Sequence, residues 1–226
     1  MAGRARGEQL SIRLLAILSS LLALAGCVTT TIQEVRQAHT GIAANDSVVI
    51  LGRHQKGGET VEAGFVQCVS GHLNGGKLAI VSEKDFVDAL FPWFEPRTAP
   101  METSDLPAII RHPMFADKLK SIGVRYIVWV DGSTRRTDSS GSMSCTIATA
   151  GIPACFGFLS WENNSSYEAQ IWDIREGTQV GKVSSDAVGT SFVPAVIAPV
   201  PFIARVQSGA CSSLADELQK FISGES

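Results

Sequence analysis

The sequence predicts an α/β protein: a single domain with a mixed β-sheet flanked by helices, carrying a β-hairpin and a C-terminal helix. Three observations lead there. Short apolar runs rich in β-branched residues alternate with stretches of helical period. Phe115, Leu119 and Ile122 share a helix face that Gly123 stops just before the apolar run 124–130. Tyr167, Ala169 and Ile171 alternate with Glu168 and Gln170 ahead of turn residues at 173–177. Helix, glycine and buried strand in succession mark an α/β crossover, and alternation followed by turn chemistry marks an antiparallel hairpin.

Residues 28–45 are polar, Thr-rich and without a strong period, which suits a tether with a short helix over 32–38. Residues 47–51 form a compact β-branched run expected as a buried strand, followed by a turn at Gly57-Gly58. Phe65, Val69 and Leu73 recur every four residues, with Val66 and Cys68 beside them, so the spacing predicts a helix over 60–73 that Asn74-Gly75-Gly76 closes. A second strand follows at 78–81. Ser82 and Asp85 sit at capping-box spacing, with Asp in place of the usual Glu or Gln, and open a helix with Phe86, Val87 and Leu90 inward. Pro92 ends it.

Residues 92–104 carry three prolines and adjoin a group of Phe91, Trp93 and Phe94. This is a loop whose aromatics pack beneath it rather than forming a contact surface. Asp105 and Pro107 start helical turns, and Pro113 suits the first turn of the next helix. The strand at 124–130 is apolar on both faces apart from Arg125, and Asp131-Gly132 reads as its end. Residues 133–144 are Ser-rich and polar, whereas 145–161 are apolar with Gly151, Pro153 and Gly157 inside, a hairpin excursion or folded flap. Residues 179–187 extend again as the second hairpin strand. Prolines at 194, 199 and 201 bar the apolar stretch 193–206 from being a normal helix or a central strand. Ser213 and Asp216 repeat the capping-box spacing, and Leu214, Leu218, Phe221 and Ile222 give the closing helix its buried stripe.

An apolar fraction of 45% with 18% charged residues is that of a packed globule rather than a disordered chain. The N-terminus has its own logic. Arg4, Arg6 and Arg13 precede an uncharged run over 14–24, then Ala25, Gly26 and Cys27, which is the order of a secretory signal. The run is about half of the roughly 20 residues a helix needs to span a bilayer. Removing residues 1–26, with three Arg and one Glu, takes the formal charge from −3 to −5. No basic patch asks for nucleic acid.

Four cysteines besides Cys27 remain, an even number in a compartment that oxidises thiols. Of the three connectivities, Cys145 with Cys155 and Cys68 with Cys211 is the favoured one, and buried free thiols are the alternative. His39, His54, His72 and His112 are scattered, and no metal-ligand spacing or cofactor motif is present. Cys68 and His72 lie four apart on one predicted helix, the spacing of a thiolate and its base, but helix neighbours with Cys68 bridged or buried is the favoured reading. There is no Gly-x-Ser-x-Gly elbow, and Gly71 to Gly76 lacks the Lys-Ser/Thr of a phosphate loop. No catalytic residue is assigned, and none of this points to an enzyme. The apolar segments 145–161 and 193–206 must be covered, either by each other or, through Phe156, Phe158, Trp161 and Phe202, by an oligomer seam or the membrane surface. Mutual packing is the favoured outcome.

Leu24-Ala25-Gly26-Cys27 resembles the lipobox of bacterial lipoproteins. The resemblance implies cleavage before Cys27 and acylation of its sulfur and amine, palmitate included. It divides the chain into a signal peptide over 1–26, a lipidated tether over 27–45 and a periplasmic domain over 46–226. Val28, where an Asp would favour the inner membrane, implies the outer membrane, facing the periplasm. The element order, with the 123–130 step and the 167–177 hairpin, also resembles TolB-amino-terminal-like and curli-secretion-type periplasmic lipoproteins. That implies a non-catalytic docking or assembly role in the cell envelope, with envelope proteins or copies of itself as partners. The alternative is a ring-forming subunit of an export system; a periplasmic hydrolase or thiol enzyme is the least supported.

Overall fold

The computed structural model describes residues 28–53, 61–76, 78–94, 98–100, 103–147, 151, 153–197, 199 and 201–225. The expected signal peptide, Cys27, His54 and the Gly57-Gly58 turn lie outside them. Among the described residues the strands are β1 (Val28–Arg36), β2 (Ser47–Gly52), β3 (Ala79–Val81), β4 (Val124–Ile147), β5 (Pro153–Asp173) and β6 (Thr178–Ile197). They form one mixed six-stranded sheet in the order β1-β6-β5-β4-β2-β3. The helices are α1 (Ala63–Asn74), α2 (Glu83–Ala89), α3 (Leu106–Ile110), α4 (Pro113–Ile122) and α5 (Val206–Ser223), with a 3₁₀ turn at Thr103–Asp105. The mixed α/β class is therefore as the sequence predicts.

The chain resolves into two compact units. The larger takes Thr29–Arg135, Asn164–Val188 and Val206–Ser226. In it β2 pairs in parallel with both β3 and β4, the pairing that the helical crossovers dictate. Strand alternation sorts the side chains into two layers. Val49, Leu51, Ile127 and Trp129 pack with Phe86, Leu90, Phe94, Phe115 and Leu119, so α2 and α4 cover one face. On the other, Phe65 of α1 stacks on Tyr167 with ring centroids 3.4 Å apart, and Ser185 donates to the Ala210 carbonyl of α5. Phe94 is buried as the loop reading requires, while Phe91 stays exposed. Gly123 ends α4 in the left-handed conformation at φ 70°, and Ser82 accepts the Asp85 N–H at the start of α2.

Four expectations are corrected. Residues 32–38 are not a short helix: β1 occupies 28–36, its Val-Thr-Thr-Thr-Ile start alternating half-buried with exposed positions along β6. β-branched residues fit that pleat better than a helix. The chain after β1 is pinned as well, since Arg36 stacks 4.0 Å from the Phe221 ring and donates to its carbonyl, and Tyr126 donates to the carbonyl of Gly41. Asp131-Gly132 does not end β4, which runs on to Ile147 through the polar stretch 133–144. Gly132 marks a close approach instead of a turn: at φ 133°, a Cβ there would lie 2.1 Å from the Ser166 carbonyl oxygen. Prolines do not keep 193–197 out of a strand either, because β6 continues to Ile197. Phe192 exchanges both backbone hydrogen bonds with Phe202, and Pro194, two residues on, directs its missing N–H to that same side and away from β5. Finally, α5 starts at Val206, so Ser213 lies inside it. Its first turns bury Ala210 and Cys211, small residues that add little to a hydrophobic period.

An ionic network ties the strand ends. Arg125 of β4 reaches Asp46, just before β2, at 3.4 Å and Asp173, at the end of β5, at 3.2 Å. Asp46 is also held by Arg175 and by the Ala43 N–H at 3.0 Å. Burial alone would push the Asp46 carboxyl up; the Ala43 N–H and the guanidinium groups of Arg125 and Arg175 outweigh it and hold the carboxyl below its ordinary value. A lowered folded value means that this contribution is complete above the unfolded value and is lost as pH falls through the folded one.

Asp46→Asn is therefore expected to cost about 3 kcal/mol near neutral pH in urea unfolding. The gap from wild type should close as pH drops below about 4; equal urea midpoints at neutral pH would contradict the network's role. Gly132→Ala is expected to lower stability by roughly 2 kcal/mol or more through backbone strain, read as a lower melting temperature.

Candidate interface on a disulfide-tipped ribbon

The smaller unit contains Arg136–Asn163 and Gly189–Arg205, the distal parts of β4, β5 and β6 and the return that follows them. Its strands are joined by polar cross-strand pairs: Thr137 donates to Glu162 at 3.1 Å, and the Ser140 and Ser160 hydroxyls lie 2.7 Å apart. Cys145 and Cys155 form a disulfide across β4 and β5 with Cα atoms 4.0 Å apart, the short-loop pairing expected from the sequence. Such a link removes freedom from the unfolded chain, worth about 2–3 kcal/mol for so short a loop.

The two apolar segments meet on the neighbouring strands β5 and β6, and the return folds back on β6. Phe192 stacks on Phe202 at 4.6 Å, with Phe158 tilted 6.4 Å away, and Ser191 accepts the Ala204 N–H. This packing buries Ala154, Ala195 and Ala204 but leaves the large side chains out. Ile147 is 75% exposed, Ile203 58%, Phe156 52% and Phe158 46%. Of the four interface residues named from sequence, Phe156 and Phe158 face solvent. Phe202 is half-buried against Phe192, and Trp161 is half-buried with the Arg136 guanidinium 5.1 Å from its ring. Ile147, Leu159 and Ile203 join the exposed set without having been singled out, although their place in or beside the two apolar segments was the available signal. These exposed side chains are the large apolar groups that the smaller unit leaves open to solvent.

The larger unit offers two further places for chemistry. A cleft of about 360 Å³ is floored by Ile110, Leu119, Val124 and Ile174, with Arg111 and Lys120 among its lining residues. At the start of α1, Glu62 accepts from the Tyr167 hydroxyl at 2.9 Å and from the Thr134 N–H at 2.9 Å, with the Thr134 hydroxyl 2.9 Å from Tyr167. Burial raises the Tyr167 phenol to about 12, so it remains a neutral donor that locks α1 to the sheet. Cys68 is joined to Cys211, also as expected, and so is not a free thiolate for His72 to activate. The two sulfurs and His72 Nδ1 lie within 4.8 Å of one another. Among the described residues no helix is long and apolar enough to cross a membrane.

No protein-family model matches the chain, and no curated protein does. Among solved structures it is similar to a single-substitution variant of the PelC dodecamer from Paraburkholderia phytofirmans, at 14% identity and a TM-score of 0.38 over 87% of this chain and 98% of that one. It is likewise similar to a second crystal form of the PelC dodecamer from the same organism, at 15% identity and a TM-score of 0.36 over 87% and 97% of the two chains.

Proposed function

We infer that the chain is a non-enzymatic outer-membrane lipoprotein, attached through Cys27 and facing the periplasm, that self-associates through its ribbon as a ring-forming subunit of an envelope export system. The observation that carries this reading is the ribbon itself. Its strands are closed by backbone pairing and a disulfide, yet Ile147, Phe156, Phe158, Leu159 and Ile203 are left without cover. Burying each large apolar side chain against a second copy contributes about 1.5–3 kcal/mol, so a handful suffices for stable association.

The anchor supports the same reading from the other end of the chain. The basic leader, apolar run and Leu-Ala-Gly-Cys order supply the signal for acylation, and β1 begins at the very next residue, Val28. Two or three acyl chains, at about 0.8 kcal/mol per buried methylene, hold a protein to a membrane almost permanently. Copies confined to one membrane face meet at high effective concentration, which favours assembly. The resemblance of the element order to curli-secretion-type lipoproteins gives the export role its direction.

The purified full chain in detergent is expected to run as an oligomer by light scattering and to image as closed particles; a lone subunit at micromolar concentration would sink the reading. Replacing Phe156 and Phe158 together by Ser should weaken association about 100-fold or more, with the melting temperature little changed. Cys27→Ser should abolish labelling by palmitate and move the protein out of the membrane fraction. Retained label would place the anchor elsewhere.

A further inference from the structure

The Cys68–Cys211 disulfide has a neighbour that a structural cross-link does not need. Cys68 and His72 lie one turn apart on the same face of α1, and Cys211 comes from the facing helix α5. His72 Nδ1 is 3.8 Å from the Cys68 sulfur and 3.9 Å from that of Cys211. It is also 3.0 Å from the Cys68 carbonyl oxygen, an acceptor that keeps a proton on this nitrogen. That hydrogen bond holds Nδ1 beside both sulfurs on an exposed imidazole, from which a small ring rotation brings the proton to either of them. The two sulfurs are not equivalent: Cys211 is fully buried, whereas Cys68 is partly exposed and is the one an incoming thiolate can reach.

From this arrangement we propose that Cys68, Cys211 and His72 form a thiol–disulfide exchange site that takes two electrons from an external dithiol. The donor's thiolate attacks the Cys68 sulfur and forms a mixed disulfide. The Cys68–Cys211 bond breaks, its electron pair goes to the Cys211 sulfur, and His72 Nδ1 supplies the proton that makes Cys211 a thiol. The imidazole regains its proton from the donor's second thiol as that thiol ionises. The donor's second thiolate then attacks its own sulfur in the mixed disulfide, releasing Cys68 as a thiolate and leaving the donor oxidised to its disulfide. Electron balance closes with one protein disulfide reduced and one donor dithiol oxidised. Because the Cys211 thiolate would otherwise emerge in a buried, apolar helix contact, the proton from His72 lowers the cost of the step. This inference is independent of how the ribbon assembles.

The test uses the full-length protein and dithiothreitol as the donor, with pulses quenched by alkylation and each cysteine read by peptide mass spectrometry across pH 5.5–8.5. Cys68 and Cys211 should become alkylated while circular dichroism still reports the folded state. In His72→Gln, an exposed and size-matched change, their rate at equal donor thiolate should fall by about tenfold, a modest factor for general acid catalysis because a thiolate leaves readily. Cys145 and Cys155 serve as the internal control and should open equally in both proteins. A His72→Gln profile that overlays the wild type, or opening of Cys68–Cys211 only on unfolding, would overturn the proposal.

Discussion

Arg125 is the constraint around which the larger unit closes. It is the one charge in the otherwise apolar run 124–130 of β4, and its guanidinium joins a carboxylate just before β2 to another at the end of β5. A buried Asp46 or Asp173 alone would be costly, and so would an Arg in that strand. Together they fix where β2 and β4 begin relative to each other and where β5 must turn. The Asp173 carboxylate then accepts the Arg175 N–H at 2.9 Å, so the same group that meets Arg125 also shapes the turn into β6. The apolar layers on either face of the sheet supply most of the stabilisation, but they are non-directional. The ionic network sets the register.

The smaller unit is built on a different principle. It has few large side chains to bury, and its order comes from strand pairing, hydroxyl and carboxylate pairs across β4 and β5, one aromatic stack and the Cys145–Cys155 link. Those forces hold a ribbon without consuming its apolar faces. That is why the segments 145–161 and 193–206 can lie on neighbouring strands and still present Phe156 and Phe158 to solvent.

The disulfides divide along the same lines. Cys145–Cys155 staples the ribbon, whereas Cys68–Cys211 joins two neighbouring helices that each carry buried apolar residues, Val69 and Leu73 on one and Leu214 and Leu218 on the other. A staple is less needed where a core exists, which makes the imidazole beside the second disulfide the more informative feature.

By itself the sequence determined the parts that depend on local periodicity and local chemistry: the buried strands at 47–51 and 124–130, the capped and glycine-stopped helices, and the 167–187 hairpin. Cysteine number and compartment also made the observed pairing the favoured one. What only the tertiary structure decided were features whose signal lies in a partner strand or helix. The Thr-rich 28–36 segment is a strand because β6 is there to pair with it. Residues 133–144 extend because β5 lies alongside, and Gly132 serves that approach rather than a turn. Pro194 is tolerated because its missing N–H faces the return through Phe202. The extra turns of α5 follow from small residues that can bury only against a close neighbour. Side-chain period is a property of one segment; pairing is a property of two, and a strand without an apolar stripe is legible only once its neighbour is in place.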